Sequence, residues 1–174
     1  MWRSWLARSH GVRKVAGSSP VTPTRKVDIN TMEINIRNLK KEDIIKAAVV
    51  FYESFNSVGE KWTLAVSERR IEQYFNPESC WVAEVDSDIV GVLTAKLDNA
   101  LDHLELYIDV LAVTPKLHKL GIGSKLIQTA ENYAKSKGFN AVWLSASPGL
   151  QSYSWYLKTG FKETSWRALV KPLE

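Results

Sequence analysis

Leu111-Ala112-Val113-Thr114-Pro115-Lys116-Leu117-His118-Lys119-Leu120-Gly121-Ile122-Gly123-Ser124-Lys125-Leu126-Ile127 is the stretch that decides the fold. Its start is β-rich, its middle holds a proline, and Gly-x-Gly opens a segment with Leu126, Ile127, Ala130, Tyr133 and Ala134 at helical spacing. Gly138 stands where a helix-ending glycine belongs. The order is therefore strand, loop, helix. Two glycines at a helix entrance let the backbone turn tightly and approach a ligand closely. The first N–H groups of the helix lack internal partners and lie at the positive end of its dipole, which suits phosphate oxygens. Two familiar phosphate loops fail on spacing. Ser124 separates Gly123 from Lys125, where a Walker A loop needs adjacent Gly and Lys, and Leu126 stands where a dinucleotide fingerprint needs its third glycine. Taken alone, this Gly-x-Gly would do no more than shape a turn.

Upstream, residues 104–113 alternate in polarity, which puts Leu106, Ile108, Val110 and Ala112 on one face of a strand and Glu105, Tyr107, Asp109 and Leu111 on the other. Residues 80–85 and 89–97 are β-rich and flank Asp86-Ser87-Asp88, a hairpin loop. Ile34, Ile36 and Leu39 announce a short strand. Residues 40–55 carry a helical stripe of Ile44, Ile45, Ala48, Phe51, Tyr52 and Phe55. Ser67 suits the N-cap of a second helix with Ile71, Tyr74 and Phe75 facing the core. Downstream, residues 141–144 read as a buried strand, 149–158 as a helix stopped by Gly160, and 161–170 as a final strand or hairpin. The expected architecture is α/β, a mixed sheet with helices on both faces.

His118-Lys119-Leu120-Gly121-Ile122-Gly123 resembles the (Arg/Gln)-x-x-Gly-x-(Gly/Ala) pyrophosphate loop of the GNAT N-acetyltransferases, in the strand-to-helix setting that family uses. Trp155-Tyr156-Leu157-Lys158-Thr159-Gly160-Phe161 resembles the family's closing Phe/Leu-Tyr-x-x-x-Gly-Phe segment. Two motifs in the right order are far more specific than either alone, and the resemblance covers residues 32–174. It implies the acyl-CoA N-acyltransferase fold, a mixed and mostly antiparallel sheet containing a splayed parallel pair made of residues 104–113 and 141–145. It also implies acetyl-CoA as cosubstrate and no metal. Backbone amides near Leu111, Ala112 and Val113 would hold the pantetheine and acetyl groups. Those of His118, Lys119, Leu120, Gly121, Ile122, Gly123 and Ser124 would hold the pyrophosphate. Two residues depart from the family's usual pattern. His118 replaces the usual Arg or Gln, and Gly149 replaces a common Asn that contacts the pantetheine arm.

The implied activity is transfer of the acetyl group to a primary amine by direct attack on the thioester. The amine is a protein N-terminus, a lysine or a small molecule such as a polyamine, an amino acid or an aminoglycoside. That chemistry needs a neutral amine, donors for the oxyanion and a proton for a thiolate whose conjugate thiol has a pKa of roughly 8.5. Tyr156 is the candidate proton donor and a second cofactor contact, with simple packing as the plain alternative. Glu105 is the candidate base, ahead of Asp109. It stands eight residues before Val113, where relatives that acetylate protein N-termini carry a glutamate. A solvated strand face would explain either acid equally well. Glu60, Asp98 and Asp102 would suit a cationic substrate. The alternative function is a non-catalytic acyl-CoA-binding regulatory module, to which His118 and Gly149 point.

Composition supports a single domain with a tail. The chain has 174 residues, 45% of them apolar, and a formal charge of +4. Cys80 is its one cysteine, which excludes a disulfide scaffold or a Cys-rich zinc site. No apolar run approaches the roughly 20 residues that span a bilayer. The positive charge alone would suggest nucleic acid. Residues 1–31, however, hold six basic groups and one acid, which leaves 17 basic and 18 acidic groups in residues 32–174. The excess thus belongs to an extension without periodicity that reads as disordered. Val15-Ala16-Gly17-Ser18-Ser19-Pro20-Val21-Thr22-Pro23 resembles a translation running through a transfer-RNA gene, so the extension is expected not to be native coding sequence, with Met32 the natural start. The expectation is a cytoplasmic monomer or homodimer whose partner is its amine substrate, with neither nucleic acid nor membrane involved.

Overall fold

The computed structural model describes residues 32–100, 103–165, 169 and 171, and its sheet grows from a hairpin. Strands β2 (Cys80–Val85) and β3 (Asp88–Ala100) pair antiparallel across Asp86 and Ser87, whose φ angles are 50° and 69°. Positive φ at both central residues is the turn whose twist matches that of paired strands, and aspartate tolerates it well. β1 (Asn35–Asn38) adds to β2, and β4 (His103–Val113) adds to β3, both antiparallel. β5 (Ala141–Leu144) then joins β4 in parallel, giving the order β1-β2-β3-β4-β5. Parallel neighbours need a long crossover. Here α3 (Ile122–Ser136) supplies it and packs across one face of the sheet. α4 (Gln151–Lys158) follows β5, while α1 (Ile44–Ser57) and α2 (Leu64–Tyr74) belong to the opposite face. The expected mixed sheet with helices on both faces and a parallel pair is present.

Several local expectations change. The N-cap of α2 is Thr63, whose Oγ1 accepts from the Val66 N–H at 3.3 Å. Ser67 is buried one turn inside and donates to the Thr63 carbonyl at 2.9 Å. Either residue type can cap, and the chain enters the helix where Trp62 is already clamped by Asn56, whose side chain bonds both the N–H and the carbonyl of Trp62. On α1 the buried stripe is Ile44, Ala47, Ala48, Val50 and Phe51, while Ile45 is 65% exposed. Residues 161–165 are irregular, and the remainder of the expected terminal strand lies outside the described residues apart from 169, as does the extension over 1–31.

The strongest correction concerns β4. Its pairing with β3 runs Thr94↔Val110 and then Ala95↔Ile108, so Asp109 is an extra residue opposite no partner. Such a bulge shifts the alternation by one. Leu106 and Ile108 consequently join Leu93, Ile122 and Leu126 on the α3 side, and Leu111 and Val113 pack against that same group. Val110 and Ala112 instead join Phe51, Ile71 and Val92 on the α1 side. Strict alternation had put all four apolar residues on one face. The bulge lets one strand fill two cores, each fully buried Leu, Ile or Phe contributing about 1.5–3 kcal/mol.

Two packing details give measurable outcomes. A Cβ added to Gly91 of β3 would lie 3.1 Å from each of Ala83 Cβ, Ile122 Cγ2 and Leu126 Cδ1. Gly91 therefore sets how closely α3 approaches the sheet. Gly91→Ala should lower stability by about 1–3 kcal/mol through overpacking, read by chemical denaturation. At the far edge, Arg37 of β1 bonds both oxygens of Asp43 (2.5 and 3.1 Å) and Glu84 Oε1 (2.6 Å). Those bonds from Arg37 hold the Asp43 carboxyl below its ordinary range against the opposing effect of burial, and the Lys40 N–H adds to them. The stability it contributes is present above the ordinary carboxyl range near pH 4 and is lost as the pH falls through the folded value. Asp43→Asn should cost about 2–3 kcal/mol at pH 7 and flatten the acid limb of the stability curve.

Candidate active site

β4 and β5 are paired from Glu105↔Ala141 to Ile108↔Leu144 and no further, although β4 continues to Val113. The bulge at Asp109 begins one residue past the last pair. Beyond it the β5 side of β4 has no strand neighbour among the described residues, which is the expected splay.

The chain leaves β4 through Thr114, makes a short turn over Pro115–Leu117 and enters α3. Lys119 and Gly121 both adopt the left-handed region, at φ 65° and 81°. Glycine makes that conformation free at the N-cap, whereas Lys119 is strained by it. No side chain caps α3 and its first turn carries no acid, so the positive end of the helix stays uncompensated. His118 Nε2 lies 2.8 Å from the Val113 carbonyl. A carbonyl can only accept, so Nε2 carries the hydrogen, and the ring staples the loop to the end of β4. At Gly123 an added Cβ would sit 3.4 Å from the Trp155 ring and 3.9 Å from Val113, so this glycine also serves the packing of α4 on α3.

The Tyr-x-x-x-Gly-Phe spacing has a structural reason. α4 ends with Phe161 N–H donating to the Tyr156 carbonyl (3.1 Å), Gly160 N–H donating to Leu157 (3.2 Å), and Gly160 at φ 102°. This is a Schellman stop, in which the residue before the final turn touches the residue after the glycine. The Tyr156 and Phe161 rings do so at 5.6 Å, and Trp155 stacks on Tyr156 at 5.0 Å. α3 ends likewise, with Phe139 N–H on Ala134 and Gly138 at φ 75°, as its glycine foretold. Tyr156 packs against the same apolar group as Leu111 and Val113. Burial pushes its phenol up to about 12.

The structure thus gathers the sequence-derived residues unevenly. Leu111, Val113, Trp155 and Tyr156 share one side of the sheet with the first turn of α3. Ala112 points its side chain into the opposite core. Glu105 lies at the other end of the strand, opposite Asp98 on β3 and level with Ala141. Gly149 is exposed before α4, with only Ser147 Oγ near the place of a Cβ. Glu60 accepts from Trp62 Nε1 at 2.5 Å, so it serves the α1–α2 loop. Asp102 lies outside the described residues.

Asp109 is the surprise. Its Oδ1 receives Arg70 Nη2 at 2.5 Å, and the side chain is 1% exposed. Burial pushes its carboxyl up, while the Arg70 cation restrains the rise. Arg70 lies over the Tyr74 ring at 4.6 Å, and Lys96 caps the rings of Tyr74 and Tyr107 at 5.3 and 5.5 Å. Trp143 of β5 meets Tyr107 at 4.4 Å. No local signal marks Arg70, which comes from a helix 39 residues earlier in the chain.

The site is thus a strand pair that opens at a bulge, with an uncapped helix entrance beyond it. The sequence profile of the acetyltransferase (GNAT) family matches residues 44–161, and the chain belongs to that family. The protein named probable N-acetyltransferase camello of Xenopus tropicalis is 36% identical over 85 residues, 48% of this chain and 38% of that protein. The match to this curated relative therefore spans well under half of its length. Among solved structures, an aminoglycoside acetyltransferase from an uncultured soil metagenomic sample, in complex with sisomicin, superposes with a TM-score of 0.64 at 21% identity. The superposition covers 81% of this chain and 97% of that one. A predicted acetyltransferase from Clostridium acetobutylicum with acetyl-CoA superposes at 0.65 and 19% identity, covering 79% and 96%. At such identities these structures share the fold. No helix among the described residues is long and apolar enough to cross a membrane.

Proposed function

We propose that this chain is an acetyl-CoA-dependent N-acetyltransferase acting on a primary amine. The observation that carries the proposal is the end of β4–β5 pairing at Ile108↔Leu144 while β4 runs on to Val113 and into the uncapped start of α3. The Thr114 N–H is bonded to Val90 on β3, so by strand alternation the amide of Ala112 also faces β3, while those of Leu111 and Val113 face the opening and suit the acetyl and pantetheine groups. The loop from His118 to Ser124 suits the pyrophosphate, its backbone amides doing what an Arg side chain does elsewhere. His118 contributes by holding that loop on β4 rather than by reaching a phosphate. Acetyl-CoA supplies the activated thioester.

An ammonium that enters the site loses a proton, and the resulting amine attacks the thioester carbonyl. Glu105 and Asp109 are the two carboxylates on the acceptor side of β4 that can receive that proton. Collapse of the tetrahedral adduct expels the CoA thiolate, which takes its proton from the Tyr156 hydroxyl. Burial keeps that phenol protonated throughout the neutral range. A thiolate emerging into the same dry surroundings is also raised in basicity, which keeps the transfer feasible. The acceptor is a small-molecule amine, a lysine or a protein N-terminus, and the protein works in the cytoplasm without a metal.

The test is incubation of the full chain with acetyl-CoA and a panel of amines, following release of free thiol. Amine-dependent thiol release is the expected result. CoA binding without turnover on any amine would replace this function with a non-catalytic acyl-CoA-binding module.

A further inference from the structure

Three acids in the sequence suit a cationic acceptor, yet the surface along α2 is lined by cations. Two open recesses run beside that helix. One, of about 380 Å³, is lined by Trp62, Val66, Arg69, Arg70 and Gln73, and the other, of about 230 Å³, reaches Tyr74 and Lys96. Gln73 lines both, so together they form one trough from Trp62 to Lys96. Val66, Arg69, Arg70 and Gln73 fall on one stripe of α2, beside the buried stripe of Ser67 and Ile71. Among the described residues no acid lines either recess. Glu60 is engaged by Trp62 Nε1, and Asp98 faces Glu105 two residues beyond Lys96 on β3.

The three cations are not equivalent. Arg70 is matched by Asp109 at 2.5 Å. Arg69 is exposed and makes no ion pair among the described residues. Lys96 is exposed as well, and its ammonium rests 5.3 Å from the centre of the Tyr74 ring and 5.5 Å from that of Tyr107. Ring faces hold a cation in place without neutralising it, and its N–H donors stay available to an anion. Lys96 pairs with Tyr107 across the sheet, and Tyr107 pairs with Trp143 one step before the last β4–β5 pair. The Lys96 end of the trough therefore adjoins the place where the two strands part.

We propose that the acceptor is a small primary amine that also carries a carboxylate, bound in this trough with the carboxylate on Lys96. The proposal deepens, and rests on, the acetyltransferase function argued above. The apolar body of such a molecule runs along α2 toward Trp62 and Val66, and Arg69 adds its positive field from the outer rim. The amine is left at the opening of the strand pair. A polyamine or an aminoglycoside would instead bring several positive charges to ring faces already covered by Arg70 and Lys96. Juxtaposed like charges select against such acceptors.

The experiment measures kcat and KM of the full chain with acetyl-CoA and three matched sets of amines. Phenylalanine, leucine and 6-aminohexanoate are each compared with their carboxamide and their decarboxylated amine. Spermidine, kanamycin and a peptide with a free N-terminus complete the panel. At least one carboxylate should exceed both of its neutral counterparts about 10-fold or more in kcat/KM, and the preference should shrink as salt is raised. Lys96→Gln should abolish the preference by raising KM for the carboxylate about 10-fold, with kcat and the KM for acetyl-CoA nearly unchanged. Lys96→Arg should retain most of it, and Arg69→Gln should weaken it by about 2–3-fold. Lys46→Gln, which removes an exposed charge from α1, should leave it intact, and thermal unfolding checks the fold of each variant. Neutral counterparts that serve as well as the carboxylates overturn the assignment. So does spermidine, kanamycin or the peptide serving better than every carboxylate, or a preference that survives Lys96→Gln. All three outcomes leave the acetyltransferase standing. Absence of turnover by the unaltered chain on every amine overturns both.

Discussion

Tyr156→Phe should lower kcat by about 10²–10⁴ while leaving the fold and acetyl-CoA binding nearly unchanged. The reasoning separates the ring from its hydroxyl. The ring stacks on Trp155 and Phe161, and the helix stop around it is made by backbone groups, all of which phenylalanine preserves. Only the hydroxyl, the proposed proton donor to the departing thiolate, is lost. Because burial raises the phenol to about 12, the unaltered enzyme should show no loss of this donor between pH 7 and 10. The deficit in the variant should accordingly be uniform across that interval. Thiol release at saturating acetyl-CoA, measured beside thermal unfolding, checks both halves. Turnover equal to that of the unaltered chain would remove Tyr156 from the mechanism.

Ser124→Asp should move binding and stability in opposite directions. Ser124 is exposed at the third position of α3, and the first turn contains no acid. A carboxylate there complements the helix dipole and should stabilise the free protein by about 0.3–1 kcal/mol. The same carboxylate would face the pyrophosphate that the helix entrance is proposed to hold. At about 4 Å and an effective dielectric near 20, like charges repel by roughly 4 kcal/mol, so a loss of about 100-fold in CoA affinity is expected after solvent screening. Calorimetric titration with CoA and a thermal melt of the free chain give the two readings. Unchanged affinity would place the pyrophosphate elsewhere.

Much of this site was legible in one dimension because its parts are local. A glycine pair at a helix entrance, and a glycine four residues after the tyrosine of the Tyr-x-x-x-Gly-Phe segment, both encode backbone geometry over a few consecutive residues. Gly121, Gly138 and Gly160 all take the positive φ that a helix boundary demands. The hairpin at Asp86 and Ser87 is of the same kind, and so is the apolar stripe of α3. Gly123 and Gly91 are different, since their reasons lie in Trp155 and in the side chains of α3, which only packing brings near.

The split between local and distant information is sharpest on β4. Alternation of polar and apolar residues named a strand over residues 104–113, placed two acids on it and led directly into the Gly-x-Gly helix entrance. These are properties of the chain's own period, and they stand. Periodicity assumes that every residue faces a partner, however, and a bulge is defined by the strand next door. The extra residue at Asp109 appears only in the pairing with β3, where Thr94↔Val110 is followed by Ala95↔Ile108. That one-residue slip sends Val110 and Ala112 to the core beneath α1, and it sets Asp109 one residue past the last β4–β5 pair. It also brings Asp109 under Arg70, a residue of a different helix with no mark of its role in the surrounding sequence. Backbone geometry at turns and helix ends is written in adjacent residues, whereas the electrostatics of a buried carboxylate depend on groups that only the folded chain assembles.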